Sequence, residues 1–207
     1  MNLFLDIETI PAPEEKKAIL KEIHSKKVRD GKKIEVDFEQ YHAATSFDGA
    51  FGKIICIGYA KDSEPADIFF GEEKQILKDF WLVAADARKF IGFNVMDFDL
   101  RFIYQRSIIN GVPPTQNLNF ARYRSDPIYD CMHEWNKWDQ RSHISLDTLA
   151  KALGLPSSKD GGIEGKDVWK AYQDNRQQEI YDYCKRDVEV TREIYRKMTF
   201  GDQQKLF

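Results

Sequence analysis

Apolar positions recur along this chain with two periods, and the places where one period gives way to the other divide it into strands and helices. Near the start, Leu3-Phe4-Leu5-Asp6-Ile7-Glu8 reads as a buried strand, with Leu5 and Ile7 pointing into the core and Asp6 and Glu8 sharing the other face. The runs 53–60 (KIICIGYA) and 66–70 (ADIFF), joined by the polar turn 61–65, predict a hairpin. A helical period follows over 73–87, with Ile76, Leu77, Phe80, Trp81 and Ala84 on one face; 90–93 (FIGF) is then a short buried strand. Asp97 is placed to cap a helix that carries Phe98, Leu100, Phe102, Ile103 and Ile108 up to Asn110-Gly111. A last short strand is expected at 127–131, and helices at 146–153, 166–172 and 177–198. Strands interleaved with helices and then a helical C-terminal half predict an α/β fold around a mixed central β-sheet flanked by helices.

The length of 207 residues suits one domain covering the whole chain. No apolar run approaches the roughly 20 residues of a membrane span, and no secretory signal is visible, so a cytoplasmic protein with no membrane contact is expected. Cys56, Cys131 and Cys184 are odd in number and widely separated, which fits reduced core thiols better than bridges or zinc ligands. His24, His42, His133 and His143 show no zinc spacing either. A net charge of −3 argues against a broad basic surface for long duplex DNA, while leaving room for a small site neutralised by metal. From about 12 to 50 the chain reads as a charged, solvated insertion, with eight Lys or Arg residues between Lys16 and Lys33. Arg122 and Arg124, with Tyr123 between them, weakly suggest backbone contact and base stacking.

Acidic residues change the picture most. Two carboxylates on one face of a buried strand repel and lose hydration, a problem that a divalent cation removes; hard oxygen ligands suit Mg²⁺ or Mn²⁺ better than zinc. A strand end that faces water accommodates the same pair without any ion. Asp99 lies where the chain leaves a strand in 94–99 (NVMDFD) and begins a helix, a place where the helix dipole alone favours an acid. Tyr183 and Asp187 stand four residues apart on the last helix and share its inward face, where a Tyr–Asp hydrogen bond is the structural explanation. Asp130 and Asp147 belong to no motif and are read as structural.

Taken in order, LDIET, NVMDFD and YCKRD resemble the three exonuclease motifs of the DEDD superfamily of 3′-5′ exonucleases, whose fold is ribonuclease H-like. Tyr183 resembles the mark of the tyrosine branch (DEDDy), since the histidine branch would need His where Asp182 stands. The likeness is strongest to the predicted exonucleases related to the proofreading domain of family B DNA polymerases, and spans Asn2 to about Met198. It implies hydrolysis of phosphodiester bonds from the 3′ end of single-stranded DNA with two divalent metal ions, roughly 3.5–4 Å apart in such sites. By resemblance Asp6 bridges both ions, Glu8 and Asp187 complete the ligands of the one that activates water, and Asp99 supports the second. Tyr183 would orient the attacking water, a phenol being a poor base at neutral pH. Thr9, Asn94, Phe98 and Phe102 border the motifs and are expected to contact the substrate. Lys159, Gly161, Gly162 and Lys166 suggest a loop that either closes on phosphates or only links. The insertion departs from the family pattern, and charge alone does not separate DNA from RNA. A 3′-5′ exoribonuclease of the same superfamily and a non-catalytic nucleic-acid-binding module are the alternatives, and a replication or repair partner stays open.

Overall fold

The computed structural model describes residues 1–29, 37–139, 141–157, 159 and 162–201. Within them five strands form one mixed sheet: β1 (Asn2–Ile10), β2 (Lys53–Lys61), β3 (Asp67–Phe70), β4 (Lys89–Gly92) and β5 (Ile128–Asp130), in the order β3-β2-β1-β4-β5. Helices α1 (Lys17–Arg29) and α2 (Phe38–Ala43) separate β1 from β2; α3 (Glu73–Ala84) and α4 (Asp99–Asn110) flank β4 in sequence. After β5 come α5 (Cys131–Trp135), α6 (Leu146–Ala152), α7 (Val168–Gln173) and α8 (Gln177–Met198). Among the described residues no helix is long and apolar enough to cross a membrane.

β1 sits at the centre, antiparallel to β2 and parallel to β4. Both of its edges are therefore paired, and its alternation sorts side chains between the helical layers on the two faces of the sheet. Leu3, Leu5 and Ile7 pack with Ile76, Leu77, Phe80 and Trp81 of α3 and with Leu100 and Ile103 of α4. On the other face Phe4 joins Val188 and Ile194 of α8, and Ile10 joins Ile180 and Cys184 of the same helix. Asp6 and Glu8 fall between those two apolar anchors. The edge of that face is shaped by a shift in register between Glu8, opposite Cys56, and Thr9, opposite Ile54.

Several boundaries differ from the expected ones, each for a local reason. Helix α3 stops at Ala84 because loop side chains take its last carbonyls: Thr115 Oγ1 donates to Trp81 O at 2.6 Å and Gln116 Nε2 to Ala84 O at 2.6 Å. Phe98, and not Asp97, precedes the first residue of α4; the Asp97 carboxylate is engaged by His133 and Arg101. Short helix α5 had no signal in the periodicity. It exists because Asp130 caps it, accepting from Met132 N at 3.1 Å and His133 N at 3.2 Å. The charged stretch after β1 divides in two. Helix α1 is largely exposed, though Leu20 is fully buried. Residues 38–47 instead fold back on β1: Thr9 Oγ1 donates to Ser46 O at 2.7 Å, Ala12 N to Thr45 Oγ1 at 2.8 Å, and His42 Nε2 to Ala12 O at 2.8 Å. Part of that stretch, 30–36, and Gly161 of the basic loop lie outside the described residues.

Candidate active site

Three elements bring the acids together. β1 presents Asp6 and Glu8, α8 crosses above it with Asp187, and the first residue of α4 is Asp99. Close approach of α8 depends on Gly58, the residue opposite Asp6 on β2. A Cβ at Gly58 would stand 2.9 Å from Cys184 Sγ and 3.1 Å from Val188 Cγ2, so any side chain there would lift the helix. With the helix seated, one ligand oxygen from each of Asp6, Glu8 and Asp187 lies within 4.8 Å of the others. Asp99 Oδ1 accepts from Ile7 N at 3.0 Å, which locks the start of α4 to β1 one residue from each of the strand's acids.

Charge is crowded in this site. Burial, then the neighbouring Asp187, Asp99 and Glu8, holds the Asp6 carboxyl well above the usual carboxylate range; the Cys184 thiol, donating to Asp6 Oδ2 at 3.4 Å, opposes that shift. Glu8 is raised by burial first and then by Cys56, Asp187 and Asp99. Asp99 is pushed up to about 7, chiefly by burial and against the pull of the backbone N–H of Ile7. Tyr183, hydrogen-bonded to Asp187, is raised by burial and then by Asp187, Glu8 and Asp6, so its phenol stays protonated. Three carboxylates with oxygens within 4.8 Å of one another make a hard-oxygen donor set that fits Mg²⁺ or Mn²⁺.

Asp6, Glu8 and Asp187 form the floor of an open cleft of about 800 Å³, while Asp99, 3% exposed, lies outside both that lining and the cluster of three. Thr9, Phe47 and Phe98 line one side, and Lys166, Trp169 and Tyr183 also border it. A family described as "predicted 3′-5′ exonuclease related to the exonuclease domain of PolB" matches residues 46–204. The chain belongs to this family. Among solved structures, the chain resembles the family B DNA polymerase from the hyperthermophilic archaeon Pyrobaculum calidifontis, with a TM-score of 0.66 and 16% identity. The match covers 96% of this chain and 24% of the polymerase chain, so the chain spans about a quarter of that protein. At that identity the likeness establishes the fold, a ribonuclease H-like mixed sheet flanked by helices. No match emerges among curated proteins.

Within this fold, the motif neighbours named from sequence separate. Thr9 and Phe98 line the cleft. Phe102 does not: it is 2% exposed and packs beneath Phe98 with ring centroids 5.6 Å apart, because one turn of α4 carries it into the core. Asn94 lines a neighbouring cavity, and its backbone, at φ 60°, donates to Asp130 Oδ1 at 3.1 Å. Asp130 proves to be a buried knot, since Met96 N donates to its other oxygen at 3.0 Å. Phe47, 76% exposed, and the half-buried Trp169 are cleft residues that no motif marks.

Proposed function

We propose that this chain is a metal-dependent 3′-5′ exonuclease of the tyrosine branch of the DEDD superfamily, trimming single-stranded DNA from its 3′ end. The observation that carries the reading is the convergence of Asp6, Glu8 and Asp187 at the floor of an open cleft. Asp6, Glu8 and Asp187 would hold one divalent ion, and Asp6 with Asp99 a second. Bound there, Mg²⁺ or Mn²⁺ supplies positive charge beside the phosphoryl oxygens and eases the ionisation of water.

The remaining work falls to the chain's own groups. A protonated Tyr183 serves as a hydrogen-bond donor and not as a base: it fixes Asp187 and orients the incoming water. The bond from Ile7 N fixes Asp99 in the same way. Phe98 and Thr9 offer a flat face and a hydroxyl to the terminal nucleotide. The substrate class is nucleic acid, and kinship with a polymerase proofreading domain favours DNA over RNA. One domain spanning residues 1–207 in the cytoplasm completes the reading, supported by three buried free thiols.

The test is degradation of 5′-labelled single-stranded DNA and its RNA twin in Mn²⁺, in Mg²⁺ and in chelator, with wild type and Asp6→Ala plus Glu8→Ala. A ladder shortening from the 3′ end, dependent on metal and missing in the double variant, is expected, faster on DNA. Faster cleavage of RNA would move the assignment to an exoribonuclease. Strand binding without hydrolysis in any metal would replace the enzyme with a binding module.

A further inference from the structure

Three cavities that share lining residues succeed one another between the acid cluster and the loops that follow β5. The catalytic cleft shares Phe47 and Phe98 with a cavity of about 210 Å³ beside Arg101. That cavity shares Asp97 with a third, of about 400 Å³, whose walls include Arg122, His133, Trp138 and His143. The far cavity is built around two devices. In the first, side-chain nitrogens surround the Asp97 carboxylate: His133 Nε2 lies at 3.0 Å, Arg101 Nη2 at 3.5 Å and Arg122 Nη2 at 4.0 Å. In the second, rings are stacked. Trp138 lies flat on His133, with centroids 4.8 Å apart and planes within 2°, and Tyr123 leans on Trp138 at 5.4 Å.

Backbone geometry shows that this arrangement is imposed. Tyr123 at φ 63° and Trp138 at φ 65° both sit in the left-handed region, which bulky side chains occupy only when their surroundings hold them there. Tyr123 is nonetheless 70% exposed, a large ring kept in water. Of the acids along the path, Asp48 accepts from Ala50 N at 2.9 Å, Asp97 faces Arg101 at 3.5 Å and Asp139 is paired with Arg141 at 3.1 Å; Arg122 stands 4.0 Å from Asp97 with its side chain 47% exposed, within reach of an incoming anion. Cations beside exposed flat rings match phosphates beside bases.

We infer that the Arg122–Trp138–His143 cavity is a second subsite, which holds the phosphates and bases of a single strand upstream of the 3′ end. The inference rests on the exonuclease reading for the direction of the strand, and it extends the footprint to roughly four or more nucleotides, the low end for grooves that combine stacking with backbone contacts. Phe47 and Phe98, whose rings lie 6.2 Å apart, stand where the strand passes from one subsite to the other.

The experiment compares a thymidine dinucleotide with a hexanucleotide, in wild type and in Arg122→Ala, Arg122→Lys, Tyr123→Ala and Trp138→Ala. In wild type the hexanucleotide should have a KM at least about tenfold lower, within the weight of one stacked base. Arg122→Ala and Trp138→Ala should shrink that ratio below about threefold. Binding of the labelled hexanucleotide, followed by fluorescence anisotropy in chelator, does not depend on chemistry. There Arg122→Ala should reduce the slope of log Kd against log salt by about 0.7, and Arg122→Lys should restore it. Arg122 and Tyr123 are exposed, so their variants report even if Trp138→Ala does not fold. Hydrolysis with no length dependence, or a ratio and salt slope unchanged in the variants, would overturn the subsite and leave the exonuclease standing. Absence of hydrolysis beside an altered salt slope would sink the exonuclease and leave a strand-binding cavity.

Discussion

Two buried acidic places in this molecule are built on opposite rules. Glu73, at the start of α3, is 4% exposed and fully served: its Oε1 accepts from Ile54 N at 2.8 Å and Arg106 Nε at 2.9 Å, its Oε2 from Arg106 Nη2 at 2.8 Å and Asn110 Nδ2 at 3.0 Å. Around Asp6 the charged neighbours that raise its carboxyl are other carboxylates, Asp187, Asp99 and Glu8. A buried charge with its partners in place holds an architecture together; a cluster of like charges is at odds with folding until a cation arrives. The contrast separates acids that serve structure from acids held for chemistry better than burial does, since both kinds are buried.

Breaking each side of the comparison should have opposite effects on stability. Asp6→Asn and Asp187→Asn should each lower exonuclease activity by more than about 100-fold, beyond what the loss of an outer-shell partner does to metal sites. Thermal melting in chelator should show the same variants more stable than wild type; a lower melting temperature would mean that the acids support the fold as Glu73 does. Arg106→Met, which strips Glu73 of its cation, should destabilise by about 3–5 kcal/mol in a denaturant titration. Mn²⁺ at about 100 times its Kd should stabilise wild type by about 2.7 kcal/mol and leave Asp6→Asn plus Asp187→Asn unmoved.

The smallest effect is the dependence on pH. Asp99 takes up a proton on folding, because burial carries it from the ordinary carboxylate range to about 7, and Asp6 and Glu8 move in the same direction. The folded state therefore binds more protons than the unfolded one above pH 4. That contribution is complete at low pH and is lost as pH rises through about 7. Melting temperature in chelator should fall between pH 5 and pH 8, and saturating Mn²⁺ should flatten the trend.

How much of this was visible in the sequence follows from physics that acts at short range. The strand at β1 and the helices α3 and α8 carry clean periods, so the mixed sheet and its helical layers were legible; spacing put Asp6 with Glu8 and Tyr183 with Asp187 on one face each, and the family resemblance joined the two faces. Substrate contacts were harder. Phe98 and Phe102 look alike beside the second motif, and it is their position along one face that divides them: Phe98, just before α4, lines the cleft, and Phe102, one turn further on, is buried beneath it. Phe47 lies in a stretch without a period, and Trp169 reaches the cleft only because α7 docks beside Ile10. The role of Asp130 was legible as structural, but its grip on the backbone around residues 94–96 and 132–133 was not.

The three bonds that tie residues 42–46 to Thr9 and Ala12 have a consequence for how the cleft moves. They rivet one cleft wall to the end of the strand that carries Asp6 and Glu8, so wall and floor travel as one body. Opening by a hinge at that wall would require breaking all three at once. The amide of Ala12 should then exchange its hydrogen with solvent about as slowly as the central sheet, and the mouth should be shaped before a strand arrives.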